Sequence, residues 1–205
     1  MLKGTRVLLG KEANVFNDTI AIFRRILLSA NYQEVIVPSI WGQETFAESS
    51  IDRMWTFKDK ADRGCCLIPE VTAVIREIYN DTWKNNIPKP VNVFYVSRCY
   101  RYDRPQLGRY REFTQIGVES LGDNGDDTSS IILLKSCLDY FKLKYDFVPY
   151  VQRGLSYYIK DGFEVECQSL GAQKQVAGGG RYAEGIGWAV GVERLILALE
   201  NQNST

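Results

Sequence analysis

Arg101-Tyr-Asp-Arg-Pro-Gln-Leu-Gly-Arg-Tyr-Arg-Glu-Phe-Thr-Gln-Ile-Gly-Val-Glu119 joins two β patterns, about Val91–Arg101 and Arg111–Leu121, through a polar turn over 103–110. Alternate residues of a strand share a face. Arg111, Phe113, Gln115, Gly117 and Glu119 therefore line one side, with Glu112, Thr114, Ile116 and Val118 on the other. The first side carries a cation, an amide, a bare backbone position and a carboxylate. That is a row of ligand-contacting groups, in which Gly117 leaves room for a substrate to lie on the sheet. Arg104 and Arg109 bring the count to four arginines within eleven residues. Guanidinium forks match phosphate oxygens, so the cluster fits a polyphosphate. The plainer reading is a solvated hairpin whose charges meet water; spacing alone favours the functional one.

Outward from this hairpin, Phe16, Ile20, Phe23, Leu27 and Ala30 recur at helical spacing and predict an amphipathic helix over 12–30. Val35-Ile36-Val37 predicts a short strand stopped by Pro38. Residues 51–68 read as strand and turn, with Met54-Trp55-Thr56-Phe57 ahead of a charged turn at 58–63. Residues 70–79 form a helical pattern with Val71, Val74, Ile75 and Ile78 inward, and 81–90 a loop. After the hairpin, a turn at 122–127 offers Asp and Thr caps to a helix ending near Phe141. A strand near 146–152, a β pair over about 157–168, a strand at 187–190 and a helix over 192–199 complete the chain. Residues 1–200 read as one α+β domain, a six- or seven-stranded, mainly antiparallel sheet flanked by helices. The polar residues 201–205 read as a frayed, disordered tail.

Composition narrows the chemistry. With 205 residues, 45% hydrophobic and 24% charged, the chain has enough apolar material for a core without staples. The 25 basic residues balance 25 acidic ones, so there is no global basic field of the kind a dedicated nucleic-acid binder carries. Histidine is absent, which excludes Ser-His-Asp and Cys-His catalysis and most zinc sites; no metal site built from protein ligands is expected. Arg, Glu, Tyr, Gln and bound ions remain, and they suit phosphoryl or nucleotidyl transfer, where positioning and charge stabilisation dominate. Cys65, Cys66, Cys99, Cys137 and Cys167 show no C-x-x-C spacing, and no apolar run approaches 18 residues. A reduced cytoplasmic location without membrane contact is the expectation.

The stretch Arg101–Glu119 closely resembles motif 2 of class II aminoacyl-tRNA synthetases in the form found in histidyl-tRNA synthetases. Other segments agree in order. Lys3-Gly4-Thr5 and the helix running into Val37-Pro38 resemble that family's N-terminus and motif 1, its dimer-forming element. Leu67-Ile-Pro-Glu-Val-Thr72 resembles its Leu-Arg-Pro-Glu-Gly-Thr segment, and Arg153-Gly-Leu-Ser-Tyr-Tyr158 its histidine signature Arg-Gly-Leu-Asp-Tyr-Tyr. Gly178-Gly-Gly-Arg-Tyr182 and Gly187-Trp-Ala-Val-Gly-Val-Glu-Arg194 resemble its second histidine motif and motif 3.

The resemblance implies ATP-dependent adenylation of an amino acid, histidine first, by a cytoplasmic homodimer that uses Mg²⁺ and charges tRNA. It places Arg101 on the α-phosphate, Arg194 on the γ-phosphate and Arg153 at the charge that develops as the carboxylate attacks. Asp103, Arg109, Tyr110 and Phe113 join them around ATP, and Mg²⁺ bridges phosphates with few protein ligands. Glu70 and Thr72 take the substrate ammonium and Gln115 its carboxylate side. Glu119 and Tyr158 bracket an imidazole, with Tyr157 beside them and Tyr182 closing the pocket.

Plainer roles stand beside these. Glu70 and Thr72 also fit helix caps, Tyr157 a core position, Gly178–Gly180 an ordinary turn, and Glu193-Arg194 an exposed helix start. Ile68, Val71, Ser156 and Ala183 depart from the family pattern, beside the amino-acid site more than the ATP site. Only 33 residues separate Glu119 from Arg153, where the family carries an inserted domain, and 11 follow Arg194, where it carries an anticodon-binding domain. Both domains are therefore expected to be missing. Two other readings stay open: a non-catalytic relative like the regulatory subunit of ATP phosphoribosyltransferase, and an activator that passes the amino acid to a non-tRNA acceptor.

Overall fold

Helix α1 (Lys11–Ser29) buries Thr19, Ile20, Phe23 and Leu27, the stripe that three-and-four spacing requires. This is a computed structural model, in which residues 1–46, 52–122, 127–152 and 157–204 are described. Among the described residues ten strands form two sheets. The larger contains β1 (Gln33–Glu34), β5 (Val91–Tyr100), β6 (Glu112–Leu121), β7 (Asp146–Val151), β8 (Gly162–Glu166), β9 (Gln175–Tyr182) and β10 (Gly185–Gly191). Their order is β1-β5-β6-β10-β9-β8-β7. Only the β1–β5 pair among them is parallel. The smaller sheet sets β4 (Gly64–Leu67) between β2 (Ile40–Gly42) and β3 (Trp55–Lys58).

Helices cover one face of the large sheet. Phe94, Ile116, Val118, Trp188 and Val190 meet α1, α3 (Asp127–Tyr140) and α4 (Val192–Asn203) in one apolar core. Each fully buried side chain of this kind contributes about 1.5–3 kcal/mol. The opposite face carries a second cluster, in which Cys66, Ile68, Val74 and Ile75 pack with Val91, Val93, Tyr95 and Leu121 under α2 (Thr72–Ile78). The α+β class, the seven strands and the mainly antiparallel pairing agree with the sequence reading.

Several local expectations give way. Val35–Val37 is not a strand: β1 ends at Glu34, only the Val35 N–H still reaches Phe94 O at 2.8 Å, and Ile36 is 90% exposed. The chain has left the sheet ahead of Pro38. Residues 81–86, read as loop, are helical: Tyr79–Trp83 is a π-turn and Lys84–Asn86 a last short helix. The β pair sought over 157–168 is a single strand, β8, and Tyr158 makes only an isolated bridge to Tyr182. Gly178–Gly180 is strand interior in β9, not a turn. Helix α4 continues past Leu199 to Asn203, and Asn201 Nδ2 donates to Ser169 O at 2.8 Å, so 201–203 do not fray as expected. The five cysteines are unpaired, and only Cys65 is not buried. Among the described residues no helix is long and apolar enough to cross a membrane.

Candidate active-site cleft

Cross-strand partners share a sheet face, and the ladder registers set Tyr95, Gly117, Ala189, Gly178 and Glu164 side by side across five strands. Three small residues thus lie between a phenol and a carboxylate. Above this row opens a cleft of about 490 Å³. The space at Gly117 is not left for a substrate, as the sequence reading had it. A Cβ there would overlap the Tyr95 ring, so the glycine admits Tyr95 and the open floor shifts to Ala189 and Gly178. Among the described residues Tyr95 Oη is buried with no hydrogen-bond partner, and its neighbouring hydroxyl, that of Thr72, donates to Glu119.

One end of the cleft is cationic. Arg101, just beyond β5, lies with its guanidinium carbon 5.2 Å from the Phe113 ring centroid, and its Nε donates to Pro69 O at 2.9 Å. Arg109 donates to Asp103 Oδ2 through Nε (3.1 Å) and a terminal nitrogen (2.8 Å), which braces the turn between β5 and β6. Arg194 opens α4. Its Nε donates to Gln175 O at 2.5 Å and a terminal nitrogen to Gln173 O, while burial and the nearby Arg109 lower its pKa. Tyr110 completes this wall, and Arg6 lies 4.0 Å over its ring. Arg104 and Arg111 do not line the cleft. Arg104 is exposed. Arg111 precedes the first paired residue of β6; its backbone N–H reaches Gly4 O at 2.7 Å, and its guanidinium lies 4.0 Å over Tyr102. The cluster of four is therefore two cleft arginines and two that fasten or flank the turn.

The other end is a network of carboxylates and phenols. Glu70 accepts the Ala73 N–H at 3.2 Å, so it does cap α2, yet it also lines the cleft and accepts the Tyr157 hydroxyl at 3.4 Å. Burial raises its pKa against the pull of that backbone N–H and of Arg101. Thr72 does not cap the helix through its side chain; its hydroxyl donates to Glu119 Oε1 at 2.6 Å. Tyr182 Oη donates to Glu119 Oε2 at 2.5 Å. Glu119 is 0% exposed, and burial pushes its pKa up to about 8 although those two donors oppose the shift. Tyr157 and Tyr158 meet as tilted rings with centroids 4.7 Å apart and line the cleft with Gln115. Glu119 and Tyr182 lie behind that lining rather than on it. Arg153, and with it Ser156, lies outside the described residues.

Glu193 is no exposed helix start: it is 9% exposed and its two oxygens each accept the Thr114 N–H at 3.0 Å, tying α4 to β6. Sequence reasoning missed Tyr95, Arg53, Glu164, Glu166 and the 173–175 connection as cleft residues. Tyr95 had a signal, since its alternation on β5 sets it opposite the one glycine of β6. Glu164 and Glu166 alternate on β8 and also had one. Among the described residues no group of three or more His, Cys, Asp or Glu side chains can hold a metal ion.

A family model described as histidyl-tRNA synthetase matches residues 4–144. The histidine–tRNA ligase of Sulfolobus acidocaldarius is 40% identical over 149 residues, which are 70% of this chain and 35% of that enzyme. The chain thus spans about a third of that relative's length. Apo S. aureus histidyl-tRNA synthetase superposes with a TM-score of 0.84 at 26% identity, over 99% of this chain and 70% of that one. An ATP phosphoribosyltransferase regulatory subunit/histidyl-tRNA synthetase from Bacillus halodurans C gives 0.78 at 15% identity, over 96% and 82%, a likeness of fold.

Proposed function

We propose that this chain, which belongs to the histidyl-tRNA synthetase family, activates an amino acid with ATP, and that the amino acid is histidine. One observation carries the reading: a single cleft has Arg101, Arg109 and Arg194 at one end and Glu70, Thr72, Tyr157 and Tyr158 at the other, over a floor of small residues. A triphosphate fits the first end and an α-ammonium beside an aromatic side chain the second. In the reaction an amino-acid carboxylate oxygen bonds to the α-phosphorus as the bond to the β-phosphate breaks, giving an aminoacyl adenylate and pyrophosphate. Arg101 neutralises the charge gathering on the α-phosphoryl oxygens. Its Nε is fixed on Pro69 O, so its fork is already oriented when the charge develops. Arg109 and Arg194 hold the outer phosphates, and Arg153 takes the role that the family resemblance implies.

The donor chemistry fits Mg²⁺ held mainly by the phosphates, with the hard oxygens of Glu164 and Glu166 on the cleft wall as its protein ligands. Bound there, the ion offsets charge on the triphosphate. At the other end Glu70 and Gln115 take the ammonium and carboxylate, and Tyr158 meets the ring, while Glu119 behind the lining orients Thr72 and Tyr182. Transfer to tRNA, a homodimer through the α1–Pro38 region and a cytoplasmic location belong to the same proposal. The fold likeness to the B. halodurans protein supports a second reading, a sensor that binds without reacting. A sensor needs no outer-phosphate contacts, and Arg109 and Arg194 supply them. Amino-acid-dependent ATP–pyrophosphate exchange decides: turnover with histidine and not with phenylalanine or leucine is expected, and no turnover with any amino acid sinks the enzymatic reading.

A further inference from the structure

Arg76 sits on α2, outside every motif that the sequence singled out, and is half-buried against Glu184. Its Nε and a terminal nitrogen donate to the two Glu184 oxygens at 2.7 and 3.0 Å, and Asn80 Nδ2 adds a third bond at 2.7 Å. Glu184 is the second residue of the two-residue connection between β9 and β10, two positions after Tyr182. The guanidinium carbon of the same side chain lies 4.9 Å over the Tyr157 ring centroid and 5.4 Å over that of Tyr182. The two rings meet edge to face at 6.1 Å. Each phenol then bonds a carboxylate, Tyr157 to Glu70 and Tyr182 to Glu119. One guanidinium therefore holds the hairpin through its N–H fork and lies over both rings of the aromatic wall.

We infer that Arg76, pinned by Glu184, is the positioning residue that sets the amino-acid end of the cleft, both by stacking the Tyr157–Tyr182 wall and by the field it lays on Glu119. This rests on the proposed amino-acid activation. Among the described residues the groups that face Glu119 are Thr72 and Arg76 of α2, Glu70 just before it, Tyr182 of β9, Tyr95 of β5 and Tyr157. Arg76 is the cation among them, and its charge favours ionised Glu119. Removing that charge and removing its counter-charge must therefore push Glu119 in opposite directions, which general loosening of the fold cannot do.

The test uses Arg76→Gln, Glu184→Gln and Arg76→Lys in the full chain. Carboxyl-¹³C NMR of the ligand-free protein follows the Glu119 titration, assigned by its loss in Glu119→Gln. In parallel, exchange kinetics give KM for histidine and for ATP. The midpoint should rise in Arg76→Gln and fall in Glu184→Gln, each by about half a unit or more, and stay in place in Arg76→Lys. The histidine KM should rise about tenfold in all three, Arg76→Lys included because an ammonium has no plane to stack. The ATP KM should move less than about twofold. Midpoints that stay put or move the same way overturn the inference, as does an ATP KM that rises with the histidine KM. A wild-type chain inactive with every amino acid refutes the proposed activation instead, and the NMR midpoints then judge the Arg76–Glu184 pair alone.

Discussion

The two ends of the cleft are built on different plans. Most of the cationic end comes from one stretch, Arg101 to Phe113, with Arg194 added from the start of α4. Its charges are held by backbone carbonyls and by Asp103, and they stay partly exposed. The carboxylate–phenol end draws on α2, β5, β6, β9 and the segment at Tyr157, and Glu119 and Tyr182 are sealed. A site on a local turn is legible from spacing, whereas one assembled from distant elements becomes visible only once the sheet has set its registers. The first plan tolerates change next to it; the second spreads any change through every partner.

Arg101→Ala should show the largest effect, a fall of about 100- to 1,000-fold in exchange rate with an unchanged circular dichroism spectrum. Lys should rescue it poorly. An active Arg101→Ala enzyme would remove the cationic end from the chemistry. Next comes Glu119→Gln. The folded pKa of Glu119 lies above that of an ordinary carboxyl, so its contribution to stability is complete below about pH 4.5 and is lost as pH rises towards 8. Glu70 and Glu193 act in the same sense. Thermal melts from pH 5 to 8 should fall less steeply in Glu119→Gln, by a few kcal/mol across the range. An unchanged slope breaks the contrast between a sealed and an open end.

Gly117→Ala should destabilise by about 1–3 kcal/mol in urea unfolding, because the Tyr95 ring is 1% exposed and has nowhere to move except the cleft. The displaced ring should also raise the histidine KM more than the ATP KM. The smallest effect is expected from Arg104→Ala, which should change the ATP KM less than about twofold, since the side chain is exposed and outside the cleft lining. A tenfold change would return the turn to the four-arginine cluster of the sequence reading.

The same contrast explains what the sequence disclosed. Alternation in Val91–Leu121 and the stripe of α1 stood out because one face of each is apolar and continuous. β9 did not, because glycines weaken a strand in isolation. In the fold they are required: a Cβ at Gly179 would overlap Gly187 O and one at Gly180 would crowd Tyr158 and Gly162. Residues 81–90 were read as loop, yet 81–86 are helical: Asp81, Asn85 and Asn86 are poor helix formers that α2 carries along once its apolar face is buried. Arg76 was invisible because its partner lies 108 positions away. For the site, all the arginines of the turn were found, but not which of them the Gly4 and Tyr102 contacts would hold aside.

The β6–β10 ladder is the seam between the two halves of the chain, pairing Leu121 with Gly185 and Gln115 with Gly191. Hairpins β5–β6 and β9–β10 are each local, but closing this seam must first overcome the entropy of a long loop. Glu119 pairs with Gly187 in that ladder, and Arg101 and Arg194 come from opposite sides of it. A nascent chain can therefore form both hairpins and still lack Arg194 at the cationic end and the whole joined carboxylate–phenol end. Binding competence should emerge in one late step, with the slowest phase of folding, and not by degrees.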